Sequence, residues 1–120
     1  MILNNNNISI ASINCNGLLT HTKNQLIRHL HAQQVHIITL QETHTTNINK
    51  EQQLHTTFCA TQSFWIPHCG IVALSADIQL TQLTLYNDDR HILVRVEHTK
   101  NDFQPFFLFT LYAPATSPKH

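Results

Sequence analysis

Glycine is almost absent from this chain: of 120 residues only Gly17 and Gly70 are glycines. A folded domain still has to turn, so residues that tolerate left-handed backbone must take glycine's place. Asn and Asp are the first expected there. Where glycine was kept, the backbone is expected to demand it. Charge is scarce too. Lys, Arg, Asp and Glu together make up 12 % of the chain, and ordinary domains carry about 25 %. Seven basic residues balance seven acidic ones, for a formal net charge of zero. That excludes a strongly basic nucleic-acid scaffold. No run approaches about 18 uninterrupted apolar residues, which excludes a membrane-spanning helix. The first residues lack a basic stretch followed by a long apolar one, so no secretory signal is read there. The expected location is intracellular, nuclear or cytoplasmic, and not secreted. The cysteines Cys15, Cys59 and Cys69 are odd in number and form no Cys-x-x-Cys pair. They read as small buried hydrophobes in a reducing compartment, without a disulfide framework.

Hydrophobic residues make up 42 %. Disorder needs low hydrophobicity with high net charge, and this chain has neither. One domain fits the length. Ten histidines invite a metal reading. His29-x-His31 and His68-Cys69 come closest to ligand spacing, but no second cluster repeats them at zinc-site distance. The histidines read instead as polar surface positions.

Residues 1–7 read as a polar leader. From residue 8 to 14 apolar and polar positions alternate among β-branched residues, which predicts a strand. Asn14-Cys15-Asn16-Gly17 follows as a turn. Leu26, Ile27 and Leu30 recur at helical spacing, with Thr22 or Asn24 as cap, and predict a helix to about residue 34. Residues 35–40 form a buried strand, parallel to the first through a right-handed crossover, and Glu42 sits just past its end. Residues 47–57 hold a weak helix. Strands are predicted over 58–66, 70–76, 78–86, 91–97 and 106–111, with turns at 87–89 and 101–102. The last strand, Phe-Phe-Leu-Phe-Thr-Leu, is apolar on both faces and calls for cover on both sides. Little in the remaining chain is available to cover it. A βαβ unit followed by strands on short turns makes an α/β mixed sheet with one or two helices.

Ligands of open α/β sheets gather at the carboxyl ends of strands. Three such ends carry suitable groups. Asn14 offers a neutral amide that can orient a phosphate or a carboxylate. Glu42 is a hard oxygen donor of the kind Mg²⁺ takes. Tyr112 offers a hydroxyl for a phosphate oxygen. Each alone is more often a turn, solvated or packing residue, and only their order along the chain lifts the chemical reading.

Four stretches carry a resemblance. They are Ile-Ser-Ile-Ala-Ser-Ile-Asn-Cys-Asn-Gly-Leu at 8–18, Leu-Gln-Glu-Thr-His at 40–44, Gly-Ile-Val-Ala-Leu at 70–74 and Leu-Tyr-Ala-Pro at 111–114. Together they resemble the endonuclease/exonuclease/phosphatase superfamily, and within it the apurinic-endonuclease-like domain of LINE-type retrotransposons. The resemblance spans residues 8–116, leaving 117–120 as a tail. It implies the amino-terminal half of a four-layer α/β sandwich. It also implies that Asn14 organises the metal and phosphate site with Asn16 and Gly17 shaping its loop. Glu42 would bind Mg²⁺ or Mn²⁺, and Tyr112 would contact the scissile phosphate. The reaction implied is phosphodiester hydrolysis, with DNA as the substrate of the whole domain. The family pattern continues with an Asp-x-Asn motif and a Ser-Asp-His motif, and neither occurs in this sequence. The expectation is a fragment holding about one sheet, inactive or nearly so by itself. Its partner would be a complementing second half or a reverse-transcriptase region on a longer polypeptide. Two alternatives stay open: a non-catalytic binding remnant, and a phosphatase or phosphodiesterase of the same superfamily.

Overall fold

The computed structural model describes residues 2–4, 8–15, 20–45, 47–83 and 90–112. In chain order the elements are β1 Ile2–Asn4, β2 Ser9–Asn14, α1 Thr20–Ala32, β3 Ile37–Gln41, α2 Ile48–Thr57, β4 Gln62–Ile66, β5 Cys69–Ala73, β6 Ile78–Leu83, β7 His91–His98 and β8 Phe106–Leu111. They build two sheets, of order β1-β2-β3-β5-β4 and β6-β7-β8. β2 and β3 are parallel, while β1, β5 and β4 join antiparallel, so the larger sheet is mixed as the sequence predicts.

The expectation of about one sheet is corrected: the chain supplies strands to two. The reason lies in the burial patterns. β5 is buried at every position, and β3 at every position but its last, as central strands covered on both faces must be. β6 and β7 alternate instead. Ile78, Leu80, Ile92, Val94 and Val96 are buried, while Gln79, Thr81 and Arg95 are exposed. Strands with one apolar face are stable only against another layer, and this pair packs its apolar face onto the larger sheet. Ile37, Ile71 and Ala73 meet Leu80, Ile92 and Val94 in that inter-sheet core. A second core lies on the opposite side of the larger sheet, where Ile27, Leu30, Leu54 and Phe58 pack on Ala11, Ile38, Leu40 and Val72.

β8 does not have the cover its sequence calls for. Thr110 is buried toward the inter-sheet core, but Phe107, Phe109 and Leu111 are 64 %, 54 % and 51 % exposed. On that outer face the His91 ring stacks on Phe109, with centroids 5.3 Å apart, and the three side chains stay largely exposed. The leader reading changes as well. Ile2–Asn4 pairs antiparallel with β2, Ile2 opposite Ala11; three residues are too few to show a period.

Scarce glycine has a visible consequence. Among the described residues left-handed backbone falls on Gln34, Glu42, His44, Cys59 and Asn101, so one of these five is the expected Asn or Asp, while the expected turns at 16–17 and 87–89 lie outside the described residues. Both helices end in the same way. Gln34 N donates to His31 O at 3.0 Å and Val35 N to Leu30 O at 3.1 Å; Cys59 N donates to Thr56 O and Ala60 N to His55 O, each at 3.0 Å. This pair of bonds around a left-handed residue is the Schellman motif, where glycine is usual. α1 begins at Thr20, so Thr22 and Asn24 lie inside it and do not cap it. α2 is capped by Asn47, whose side chain accepts from Lys50 N. Its C-terminal turn takes residues 58–61, which is why β4 starts at Gln62 and not at 58. Gly70 lies inside β5, where a Cβ would collide with the indole ring of Trp65 on β4. Close approach, and not a turn, demands that glycine. Of the cysteines Cys69 is buried, Cys15 half-buried and Cys59 exposed, so only one is the buried hydrophobe expected.

Candidate active site

β2 and β3 run in the same direction, with Asn14 opposite Gln41. Cys15 N donates to Gln41 O at 2.8 Å and continues the ladder past the strand end. Asn14 and Glu42 therefore sit at one end of the sheet. Asn14 is exposed and Glu42 half-buried. Asn16, Gly17, the turn at 87–89 and the Ala-Pro pair after Tyr112 lie outside the described residues.

The loop that carries Glu42 is strained. Glu42 has φ 57° and His44 φ 52°, and a non-glycine residue there costs on the order of 1–3 kcal/mol. Such strain persists only when the surroundings over-determine it, and here they do. Thr43 and Thr45, which alternate with them along the loop, are buried and share a hydroxyl hydrogen bond of 2.7 Å. Thr45 N donates to Pro67 O at 2.7 Å, Thr43 N to His68 O at 3.3 Å, and Thr45 Oγ1 to Ile66 O at 3.3 Å. The loop is thus clamped to the two-residue turn, Pro67-His68, that joins β4 to β5.

The same turn reaches the third candidate. Tyr112 follows β8 and its N donates to Arg90 O at 2.6 Å. Its ring stacks on the His68 imidazole, with centroids 4.2 Å apart and planes 22° apart. His44 meets His68 edge-on at 5.7 Å. Strand register places Asn14 and Glu42 at one end of the larger sheet, and the stack on His68 ties Tyr112 to the turn that the Glu42 loop bonds. Beneath them the side chain of Gln41 accepts from the Cys69 thiol at 3.5 Å and donates to Thr110 Oγ1 at 3.2 Å.

Burial pushes the Cys69 thiol up to about 11. Burial also raises the Cys15 thiol above its ordinary value, only partly opposed by Lys23. Neither is a thiolate at neutral pH, so neither is an activated nucleophile. Among the described residues no three His, Cys, Asp or Glu side chains converge on one point. The donors at this end are the Glu42 carboxylate and the neutral amide oxygen of Asn14. One carboxylate with neutral oxygens and water is a set that fits Mg²⁺.

No family model matches the sequence, and no curated protein matches it. Among solved structures the chain is similar to humanized D. rerio TDP2 carrying 14 mutations. The TM-score is 0.55 at 18 % identity, over 85 % of this chain and 45 % of that one. At that identity the likeness shows a shared fold. The chain spans less than half the length of that structure. Sequence reasoning picked out Asn14, Glu42 and Tyr112 but missed His68 and the threonine clamp. Gln41, Thr43 and His44 stood within a quoted motif. His68 had no signal beyond its neighbour Cys69, because its ring partner lies on a different sheet.

Proposed function

We propose that this chain carries the Asn14, Glu42 and Tyr112 part of a metal-dependent phosphodiester-hydrolysing site, of the apurinic-endonuclease-like type of LINE retrotransposons. The observation that carries the reading is the meeting at His68 of the strained Glu42 loop and the Tyr112 strand end. Glu42 and Asn14 would hold Mg²⁺ or Mn²⁺, which supplies charge neutralisation at phosphate oxygens and a more acidic bound water. Tyr112 would donate its hydroxyl to a phosphate oxygen. The motifs Gln-Glu-Thr-His and Tyr-Ala-Pro favour a nuclease over a phosphatase. DNA is the substrate of the whole site. This chain by itself holds DNA weakly, because Lys and Arg contacts supply most non-specific affinity and the net charge is zero.

The Asp-x-Asn and Ser-Asp-His motifs are not in the sequence. Loss of one general acid or base costs about 10²–10⁴ in rate, so the 120-residue chain nicks supercoiled plasmid at background level with Mg²⁺. A complementing segment, on a longer polypeptide or in trans, supplies the rest. Robust Mg²⁺-dependent nicking by the pure chain, abolished in Glu42→Ala, would show an active enzyme and overturn the fragment reading. Nicking unchanged in Glu42→Ala would overturn the site assignment. A second reading, a binding remnant, is favoured by the open apolar face of Phe107, Phe109 and Leu111.

A further inference from the structure

We propose that His68 is the positioning residue of this site: its imidazole sets the orientation of the Tyr112 ring and couples it to the Glu42 loop. The proposal rests on reading Tyr112 as a phosphate contact. His68 is itself fixed by its backbone. Pro67 before it has φ locked near about −65°, and strand pairing runs up to Ile66 opposite Cys69 on either side of the turn. The two parts of His68 then face two different elements. Its carbonyl accepts from Thr43 N at 3.3 Å, next to Glu42. Its ring lies against Tyr112 at 4.2 Å and against His44 at 5.7 Å.

His68 Nδ1 is buried without a hydrogen-bond partner among the described residues. An unpaired buried polar atom is costly, so what this atom contributes is not a polar anchor. The ring is placed by aromatic contact, and stacked pairs of this kind are directional. Tyr112 also bonds Arg90 O through its backbone N and packs against the edge of the inter-sheet core, but among the described residues His68 is the one aromatic ring stacked on its face. Removing the imidazole therefore frees the ring and loosens the link to Glu42, while another aromatic ring at 68 keeps both.

The test uses the full 120-residue chain with ¹³C-labelled tyrosine. The chain has two tyrosines, and Tyr86→Phe assigns their signals. In the wild type the Tyr112 ring protons are shifted upfield by the stacked imidazole. His68→Ala should abolish that shift and move the Glu42 and Thr43 amides, and His68→Phe should restore both. With Mg²⁺ and p-nitrophenyl thymidine 5′-phosphate as the probe, Kd should rise about tenfold in His68→Ala, a change of about 1.4 kcal/mol. In His68→Phe it should stay at the wild-type value. His68→Leu, which keeps volume without a ring, stands in if His68→Ala does not fold. Tyr112 signals in the ring-free variants identical to wild type would overturn the proposal, as would failure of His68→Phe to restore them. If the ring shift is lost and restored but the wild type binds no phosphodiester, the positioning role stands and the phosphate-site reading fails.

Discussion

The side chain of Gln41 reaches from one sheet to the other, where its Nε2 donates to Thr110 Oγ1 at 3.2 Å. Thr110 is buried on β8, so its hydroxyl relies on that bond directly beneath the candidate site. Gln41→Leu should cost about 1–3 kcal/mol, because it leaves a buried hydroxyl without its partner. Adding Thr110→Val should recover most of the loss, since removing both partners together is nearly neutral. Urea unfolding of the two variants checks this. Full additivity of the losses would show that the two side chains are not coupled.

Gly70→Ala should destabilise the protein by about 1–3 kcal/mol, the usual range for overpacking. The new methyl enters the indole ring of Trp65, and that ring is held by its Nε1 donating to Ser63 Oγ at 3.0 Å. Trp65 is the single tryptophan, so its fluorescence reports the displacement directly. Unchanged emission and unchanged Tm in Gly70→Ala would contradict the packing described.

Gln34→Gly and Cys59→Gly should each stabilise the protein by about 1 kcal/mol. Both residues hold left-handed backbone at a helix end, where an L side chain costs about 1–2 kcal/mol, and glycine returns part of that gain as chain entropy. Thermal unfolding of the single variants is the measurement. Glu42→Gly should also relieve strain, but at the expense of ion binding, which separates strain at helix ends from strain at the site.

Stability should fall as pH drops below about 6.5, in part through His36. Burial holds this imidazole below its ordinary value of 6.5, helped by nearby His98 and opposed by Asp77. Its Nδ1 must stay unprotonated to accept from Ser9 N at 2.9 Å. A depressed histidine makes the unfolded chain the better proton binder, so its stabilising effect is complete above the unfolded value. It is lost as pH falls from there through the folded value. His36→Asn keeps an acceptor and cannot titrate. Its Tm should decline less than wild type between pH 7 and pH 5. Equal slopes would remove His36 from the acid response.

Much of the frame was legible because it is local. β-branched alternation announced β2, and unbroken apolar runs announced β3 and β5. Asn47 announced the start of α2. The split into two sheets was not legible, because it depends on which apolar faces meet across long sequence separations. The start of β4 and the left-handed turns after both helices were not legible, because Gln34 and Cys59 take a conformation that their side chains disfavour and the Schellman bonds enforce. The candidate residues Asn14, Glu42 and Tyr112 were chosen from strand ends and motif order. The strain at Glu42 and the ring stack of His68 on Tyr112 are tertiary facts, and no local pattern encodes them.

Whether Asn14, Glu42 and Tyr112 act as one ion and phosphate site is tested most directly by amide-resolved NMR. Mg²⁺ is titrated into the 120-residue chain with p-nitrophenyl thymidine 5′-phosphate present. The expected result is a set of shifts confined to Asn14, Cys15, Glu42, Thr43 and Tyr112, lost in Glu42→Gln and restored by neither higher ionic strength nor Ca²⁺. Shifts scattered over the surface histidines, or the same shifts in Glu42→Gln as in wild type, would contradict it.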